Sequence, residues 1–374
     1  MSPRLMKSFR HVFMSTDAAG GVWTYALDLV RALAAHGINV TLGVLGPSPS
    51  LAQQREAAAV ASLDLQIIGL PLDWTATDLN QVDEVSSGLQ QIASACGADL
   101  VHLNAPAHSG RRSWKLPLVV TCHSCVATWW RAQSKHDLPP DLQWRRNCTE
   151  AGLRLADKVI VPSYGFAHML QQEYGLQPHL TVVLNGRIEP ESSRRQPSHI
   201  LIAGRLWDRA KNVTIIDEAA DRAHLLVRAA GPVTGPNGEH AQLHHLTTLG
   251  VLSPAQLSEE YADAKIFVSV PLYEPFGLSV LEAAQHGCAL VLSNISTLRE
   301  LWSDAAVFVD PRDAEQLTNC LQRLNRDADL CRSLGRRAAE IARRYTPERM
   351  LVGTLRAYND AVASHFSSMS EHCG

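Results

Sequence analysis

The sequence lacks the features that mark membrane-spanning and nucleic-acid-binding proteins. None of its apolar runs reaches about 18 residues, the length that a spanning helix needs. The formal net charge is −3 over 374 residues, so no overall basic field would attract nucleic acid or an anionic membrane. Basic residues at the start are not followed by an apolar stretch, and we therefore predict no signal peptide and a cytoplasmic protein.

Sequence signals for disulfides and bound metals are also scarce. Eight cysteines in a chain without a signal peptide are expected to be reduced thiols. Cys122 and Cys125 form a C-x-x-C pair, but no second Cys or His pair has a metal-binding spacing. A D-x-D triad, Asp327-Ala-Asp329, lies in a polar helical tail, where we expect a solvated face. We predict neither a metal nor another cofactor.

Short apolar runs alternate with helical patterns along the whole chain. This alternation is typical of doubly wound α/β domains, and the length favours two of them, each with its own core. The predicted strands of the first half are His11–Thr16, Asn39–Leu45, Leu65–Ile68, Asp99–Leu103, Leu116–Cys122, Lys158–Val161 and Leu180–Leu184. Those of the second half are His199–Ala203, Leu225–Ala230, Lys265–Val270, Ala289–Leu292 and Ala306–Val309.

A polar segment without periodicity separates the two halves. Arg187–Ser198 contains two prolines and is predicted to be a domain linker. We therefore predict Rossmann-like domains at residues 1–190 and 198–345 that face each other across a cleft. A helical tail at residues 346–374 is expected to cross back to the first domain. The active site is expected in the cleft.

The most informative stretch is Val268–Asn294, which reads as strand, loop, helix and strand. Glu274 lies in the loop at the start of the helix, and Glu282 lies two turns into the helix. An anion at this point would meet backbone N–H groups, with carboxylates on either side to bind hydroxyls. A phosphate attached to a sugar fits that description.

Two cations follow the first predicted strand of the second half. Arg205 stands at the carboxyl end of that strand, and Lys211 stands where the next helix starts. A departing nucleoside diphosphate gains negative charge, which two cations and a helix N-terminus would stabilise. A single Arg or Lys is more often an exposed surface charge. Two cations at this location, with Glu274 and Glu282 downstream, favour a binding site for the diphosphate.

The loop after the first strand contains Gly20 and Gly21. It does not match the G-x-G-x-x-G dinucleotide fingerprint. Adjacent glycines let a ligand approach the backbone closely, but they also suit a tight strand-to-helix turn. The loop alone does not separate these two interpretations.

Together these motifs resemble the retaining glycosyltransferase family 4, which has the GT-B fold. The resemblance rests on Gly20-Gly21, on Gly204-Arg205 with Lys211, and on the E-x7-E motif from Glu274 to Glu282. It implies that Glu282 binds the ribose and that Glu274 lies beside the transferred sugar. It also implies that Arg205 and Lys211 bind the diphosphate.

The resemblance assigns further contacts to backbone segments and to one histidine. It implies that Phe276, Gly277 and Leu278 meet the sugar and phosphate through their backbone. Gly250, Val251 and Leu252 resemble the segment that contacts the nucleobase. Gly20 and Gly21 would approach the diphosphate or the acceptor. His123 matches a histidine near the anomeric centre, although the acid that usually orients it is missing from T-C-H-S-C-V. A core histidine is the alternative.

The acceptor side has weaker signals. Candidate contacts are Trp23, Ser124, Trp129, Trp130 and Arg131, because aromatic faces stack on sugar rings. Core packing is the alternative for each tryptophan. The Arg111-Arg112 and Arg145-Arg146 pairs are weak signals for a lipid-phosphate acceptor and for peripheral contact with the inner membrane.

We therefore expect a metal-independent retaining glycosyltransferase. It would move a hexose from a UDP- or GDP-linked sugar to a saccharide, lipid-linked or small-molecule acceptor. A GT-B epimerase or phosphorylase, and a catalytically silent two-lobed binding module, are the alternatives. Retention of Glu274, Glu282, Arg205 and Lys211 argues against the silent module. The sequence leaves the oligomeric state open.

Overall fold

The computed structural model describes residues 9–175, 178–190, 197–236 and 238–371, with side chains as far as residue 367. These residues divide into two compact units. The first contains the described residues up to Gly186 and those from Pro347 onward, and the second spans Arg187–Thr346. Of the predicted linker, residues 191–196 lie outside the described residues.

The described part of the first unit is built on a seven-stranded parallel sheet in the order β3-β2-β1-β4-β5-β6-β7. Its strands are β1 His11–Asp17, β2 Asn39–Leu45, β3 Leu63–Ile67, β4 Leu100–Leu103, β5 Leu118–Thr121, β6 Lys158–Val161 and β7 Leu180–Val182. Its helices are α1 Gly21–Ala35, α2 Leu51–Ala58, α3 Leu79–Ala95, α4 Val126–Gln133, α5 Pro140–Leu155, α6 Tyr164–Tyr174 and α13 Pro347–Glu371. A short 3-10 helix covers Pro106–Ser109.

The described part of the second unit contains a six-stranded parallel sheet in the order β10-β9-β8-β11-β12-β13. Its strands are β8 His199–Ala203, β9 Val227–Ala230, β10 Thr247–Gly250, β11 Ala264–Ser269, β12 Ala289–Ser293 and β13 Ala306–Val309. Its helices are α7 Val213–Ala223, α8 Pro254–Asp263, α9 Leu278–Gln285, α10 Ser296–Trp302, α11 Ala314–Arg326 and α12 Ala328–Ala342. A short 3-10 helix covers Arg209–Lys211. The predicted class, two doubly wound α/β domains, is confirmed.

The predicted strands match because most of them are buried on both faces. Central strands such as β4, β5 and β12 are apolar runs that are buried throughout. The edge strand β10 was not predicted. It is short, mostly exposed and begins with two threonines, so it has no apolar run to mark it. None of the helices in the described ranges is long and apolar enough to cross a membrane.

The C-terminal helix α13 packs within the first unit through a buried polar network. Tyr358 Oη lies 2.7 Å from His102 Nδ1, and His102 Nε2 lies 2.6 Å from Thr121 Oγ1. Nearer the C-terminus, His365 Nδ1 lies 3.1 Å from Asp157 Oδ2. His102 and Asp157 would each lose a partner if α13 left the sheet, and leaving buried polar groups unpaired is costly. The helix is thus part of the first unit.

In the second unit, α12 packs against the turn that ends α9. Gly335 on α12 is so close to this turn that a Cβ there would lie 2.1 Å from the carbonyl oxygen of Gly287. Gly287 itself has a φ of 74° and joins α9 to β12. This contact helps to fix α9, the helix that carries Glu282.

We predict that Gly335→Ala destabilises the second unit by about 1–3 kcal/mol, the usual cost of overpacking. Helix propensity alone predicts the opposite sign, because Ala is favoured over Gly in a helix by about 1 kcal/mol. Urea unfolding with Arg336→Ala, an exposed neighbour on the same helix, as control measures the difference. An unfolding midpoint for G335A at or above that of the native protein would contradict the contact.

Candidate functional site

The strand order of the second unit places two motif loops side by side. β8 and β11 are adjacent and parallel. From β8 the chain continues to β9 and β10 on one side, and it then returns to β11 on the other side of β8. In open parallel sheets, ligands bind at the carboxyl ends of strands where the order reverses in this way. The loop with Arg205 and Lys211 follows β8, and the loop with Glu274 follows β11. The topology thus brings together residues distant in sequence.

Lys211 and Glu274 form an ion pair. Lys211 Nζ lies 2.6 Å from Glu274 Oε2. Both side chains are largely enclosed, with 23% and 11% of their surface exposed. Coulomb attraction is stronger in such a place than at the surface, because water screens it less. An anion bound here would compete with Glu274 for the ammonium group.

The two loops are pinned by hydrogen bonds. The backbone N–H of Leu272 donates to Ala210 O at 2.8 Å. The Asn212 carboxamide donates to Val270 O at 3.0 Å and to Pro311 O at 2.7 Å. Asn212 has a φ of 56°, a left-handed conformation that asparagine tolerates better than most residues. Lys211, next to Asn212, is therefore held at a fixed distance from the end of β11.

Arg205 lies on the exposed side of the same loop. Its guanidinium is 3.3 Å from Asp208 Oδ2 and stands 5.7 Å from the centre of the Trp207 ring. The side chain is 44% exposed, so its contribution as an ion pair is small and it can turn toward a ligand. Asp208 also accepts a hydrogen bond from Ala210 N at 3.0 Å. It therefore stabilises the short 3-10 helix that ends at Lys211.

Gly277 shapes the start of α9. Its φ of 89° is in the left-handed region, and a Cβ would lie 3.2 Å from Val280 Cγ2. No side chain caps the helix, and its first turn contains no acidic residue. The N-terminal N–H groups of α9 are therefore available to an anion. Phe276, predicted to act through its backbone, has a buried ring that packs on Tyr345.

Glu282 is held by two other side chains of the second unit. Tyr261 Oη donates to Glu282 Oε2 at 3.2 Å, and an Arg187 Nη2 lies 3.1 Å from Glu282 Oε1. Burial, and then the negative charge of Glu282, raise the pKa of Tyr261 well above its ordinary value. Tyr261 is therefore a donor at physiological pH. Both contacts join distant positions, which is why local motifs do not reveal them.

The predicted nucleobase segment begins at the end of the edge strand β10. Gly250 has a φ of 68°, and its carbonyl accepts a hydrogen bond from Gly231 N at 2.7 Å. A Cβ on Gly231 would lie 1.8 Å from Gly204 O, so this glycine lets the ends of β8 and β9 come together. Val251 is 76% exposed. The segment therefore offers exposed backbone close to the loop with Arg205.

In the first unit, the strand order reverses between β1 and β4. His123 follows β5, and its Nε2 lies 2.8 Å from Oδ1 of Asn104, which follows β4. The Tyr25 ring stands edge-on to the His123 ring at 4.5 Å between centroids. Burial lowers the pKa of His123 to about 3, so its ring is neutral at physiological pH. The partner that replaces the missing acid is thus an asparagine.

Gly20 and Gly21 lie at the start of α1 and are exposed. A Cβ at Gly20 would meet nothing within 4 Å. The backbone of this loop therefore opens onto space rather than onto packed atoms. Its φ of −175° is extended backbone, so Gly20 is not required here by backbone strain.

The structure corrects part of the predicted acceptor surface. Trp23 is only 4% exposed and its indole N–H donates to Glu56 at 3.3 Å, so it is a core residue and has no free face for a sugar. Trp129 and Trp130 are half-buried on α4, and Arg131 pairs with Glu173 at 2.6 Å. Ser124 is exposed beside His123. Acceptor contacts by Ser124, Trp129, Trp130 and Arg131 remain predictions.

Several residues of the other polar motifs have structural partners. Arg111 pairs with Asp83, while Arg145 donates to the carbonyls of Asp73 and Ala76. Arg146 pairs with Glu150 and Glu173. In the D-x-D triad, Asp327 accepts from Leu330 N at the start of α12, and Asp329 is 92% exposed beside Arg332.

Sequence profiles of two families together cover most of the chain. The profile described as Glycosyltransferase Family 4 matches residues 19–187, and that described as Glycosyl transferases group 1 matches residues 195–341. A D-inositol 3-phosphate glycosyltransferase from Acidothermus cellulolyticus is 24% identical over 94% of this chain and 88% of its own length.

Solved structures share the fold at low sequence identity. Sucrose-phosphate synthase from Thermosynechococcus elongatus superposes with a TM-score of 0.76 at 19% identity, covering 95% of this chain and 100% of its own. Anabaena HepE in complex with UDP-glucose has a TM-score of 0.67 at 16% identity, covering 96% and 100%. At this level of identity the similarity concerns the fold.

We predict that pyrophosphate binds the second unit and raises its melting temperature, because Lys211, Arg205 and the start of α9 converge on one anion site. Lys211→Gln should weaken binding about tenfold, given roughly 1.5 kcal/mol for a hydrogen bond to a charged group. Lys265→Gln is the control. Lys265 lies near the start of β11, at the other end of the strand from the loop with Glu274. Equal affinities for the two variants would place the anion elsewhere.

Proposed function

Because the chain is a glycosyltransferase of family 4 with the GT-B fold, we propose that it moves a hexose from a UDP- or GDP-linked sugar with retention of anomeric configuration. The single observation that carries this proposal is the grouping at the ends of β8 and β11. There the Lys211–Glu274 pair lies beside the uncapped start of α9, the helix that also bears Glu282.

Each of these groups suits one part of a nucleotide sugar. Lys211, Arg205 and the N–H groups of α9 bind the diphosphate, whose negative charge grows as the bond to the sugar breaks. Glu282, oriented by Tyr261 and Arg187, accepts hydrogen bonds from the ribose hydroxyls. Glu274 exchanges part of its contact with Lys211 for a hydroxyl of the transferred sugar. The structure of HepE with UDP-glucose on the same fold supports a nucleotide-sugar donor.

In the proposed reaction the leaving phosphate takes part as a base. The bond between the anomeric carbon and the diphosphate oxygen breaks, and a bond to the acceptor oxygen forms on the same face of the sugar. The acceptor proton passes to the departing phosphate. Electrostatic stabilisation of the diphosphate by Lys211 and Arg205 is the main catalytic contribution. Two cations and a helix N-terminus supply the positive charge, so no metal is required.

We assign acceptor binding to the first unit. Its sheet ends in the exposed Gly20-Gly21 loop and in His123, which are uncharged groups suited to hydroxyls. The acceptor is a saccharide, a glycolipid or a small molecule. The D-inositol 3-phosphate glycosyltransferase that matches 94% of this chain supports a small polyol among these.

Replacing Glu282 tests the donor site. We expect UDP or GDP to raise the melting temperature of the native protein, since a ligand of the folded state stabilises it. Glu282→Ala should weaken that nucleotide about tenfold or more, because the ribose hydroxyls lose a charged acceptor worth roughly 1.5–3 kcal/mol. Glu340→Ala, an exposed carboxylate on α12, is the matched control. Unchanged affinity in E282A would show that the ribose does not bind here.

The stereochemistry of the product tests the reaction. With an α-linked nucleotide sugar and excess EDTA, we expect full activity and an α-linked product, identified by the proton coupling constant of its anomeric signal. A β-linked product would exclude retention. Strict dependence on Mn²⁺ or Mg²⁺ would exclude the metal-free charge stabilisation. Nucleotide binding without transfer to any acceptor would favour a silent binding module, and a changed sugar configuration in the free nucleotide sugar would favour an epimerase.

A further inference from the structure

The orientation of the Asn104 side chain is fixed by the backbone of β1. Asn104 Nδ2 donates to the carbonyl oxygen of Ser15 at 2.7 Å. A peptide carbonyl can only accept, so the amide nitrogen and not the amide oxygen must face it. The backbone N–H of Asn104 also donates to Ser15 Oγ at 3.1 Å. The carboxamide therefore has its oxygen directed away from β1.

That oxygen determines which nitrogen of His123 carries the proton. Asn104 Oδ1 lies 2.8 Å from His123 Nε2. An amide oxygen only accepts, so Nε2 must be protonated. A neutral imidazole has one N–H, which leaves Nδ1 with a lone pair. In this arrangement Nδ1 is a hydrogen-bond acceptor and not a donor.

The second ring nitrogen is open to a ligand. Among the described residues, the His123 ring makes a hydrogen bond through Nε2, to Asn104, and none through Nδ1. His123 is half-buried rather than fully enclosed. The next residue, Ser124, is exposed. A hydroxyl group approaching this edge of the sheet would find an accepting nitrogen.

We propose that Asn104 is a positioning residue that holds His123 in the Nε2–H form, so that Nδ1 accepts a hydrogen bond from a substrate hydroxyl. The identity of the ligand as a sugar or polyol rests on the proposed function; the protonation of the ring does not. An asparagine achieves with a neutral group the orientation that a carboxylate would give. It does so without charging the imidazole, so the ring stays an acceptor.

The groups packed around His123 are uncharged at physiological pH. Burial raises the pKa of Tyr25, on α1, to about 12 and lowers the pKa of His102, on β4, to about 3. Burial also raises the pKa of the neighbouring thiols Cys122 and Cys125. Burial is the cause of the low pKa of His123, so a carboxylate placed at Asn104 would add a charge directly beside the ring.

The protonation of His123 can be measured by NMR on the full chain labelled with ¹⁵N-histidine. The His123 signals are assigned by their loss in His123→Gln. We expect the long-range couplings of an Nε2–H ring, unchanged between pH 5 and 8. An Nδ1–H ring, or normal titration of His123 in the native protein, would overturn the proposal.

Two substitutions at Asn104 extend the test. Asn104→Asp should raise the pKa of His123 by roughly 1–3 pH units, because an opposite charge at this distance favours the protonated ring. Asn104→Leu should release the ring, giving a mixture of both neutral forms. If His123 keeps a single Nε2–H form in N104L, Asn104 does not position it. The native spectrum decides the protonation of the ring even where a variant fails to fold.

Ligand titration identifies the source of the hydroxyl. The probes are the nucleotide sugar that stabilises the protein most, the matching nucleoside diphosphate, and D-glucose. A change in the Nδ1 signal with the nucleotide sugar but not the diphosphate assigns the hydroxyl to the transferred sugar. A change with glucose in the presence of the diphosphate assigns it to the acceptor. An unchanged signal with all three overturns the hydroxyl contact, and absence of any nucleotide binding would instead reject the proposed function.

Discussion

The side chain of Asn212 holds the second unit's site together. Its carboxamide donates to carbonyls at the end of β11 and after β13, while the residue itself lies between the short 3-10 helix and α7. Its left-handed backbone turns the chain directly after Lys211. The distance between Lys211 and Glu274 therefore depends on three loops that are fixed to one another. A preorganised arrangement of this kind stabilises charge without a large rearrangement of the protein.

The two units use polar groups in different ways. The second unit places the Lys211–Glu274 pair at the carboxyl ends of its strands, and a second pair joins Arg187 to Glu282 on α9. The first unit places His123 there, and burial keeps both His123 and the nearby His102 uncharged. Charged groups suit an anionic diphosphate, and neutral ones suit hydroxyls. This division agrees with a donor site in the second unit and an acceptor site in the first.

Much of the fold could be predicted because parallel sheets are buried on both faces. Their strands are continuous apolar runs, and the residues after them mark the ligand-binding edge. The apolar pattern of Val268–Asn294 likewise indicated a strand, a loop and a helix. The edge strand β10 and the burial of Trp23 were not predictable in this way. Exposure at the edge removes the apolar signal, and a tryptophan looks the same in a core and at a binding surface.

The partners of the site residues were also beyond prediction. Tyr261 precedes Glu282 by 21 positions and Arg187 precedes it by more than 90, so only the fold brings them together. The sequence showed that the acid which usually orients His123 was missing, and the structure places Asn104 beside the ring. The sequence alone did not show that these two side chains meet. Local spacing reports contacts within one motif, whereas these contacts depend on the order of the strands.

The most direct test of the donor site is a crystal structure with the nucleoside diphosphate that binds best. We expect diphosphate oxygens within about 3 Å of Lys211 Nζ and of the first N–H groups of α9. We also expect the ribose to lie on Glu282 and the contact between Lys211 and Glu274 to lengthen from 2.6 Å. A nucleotide bound elsewhere, with that ion pair unchanged, would contradict the proposed donor site.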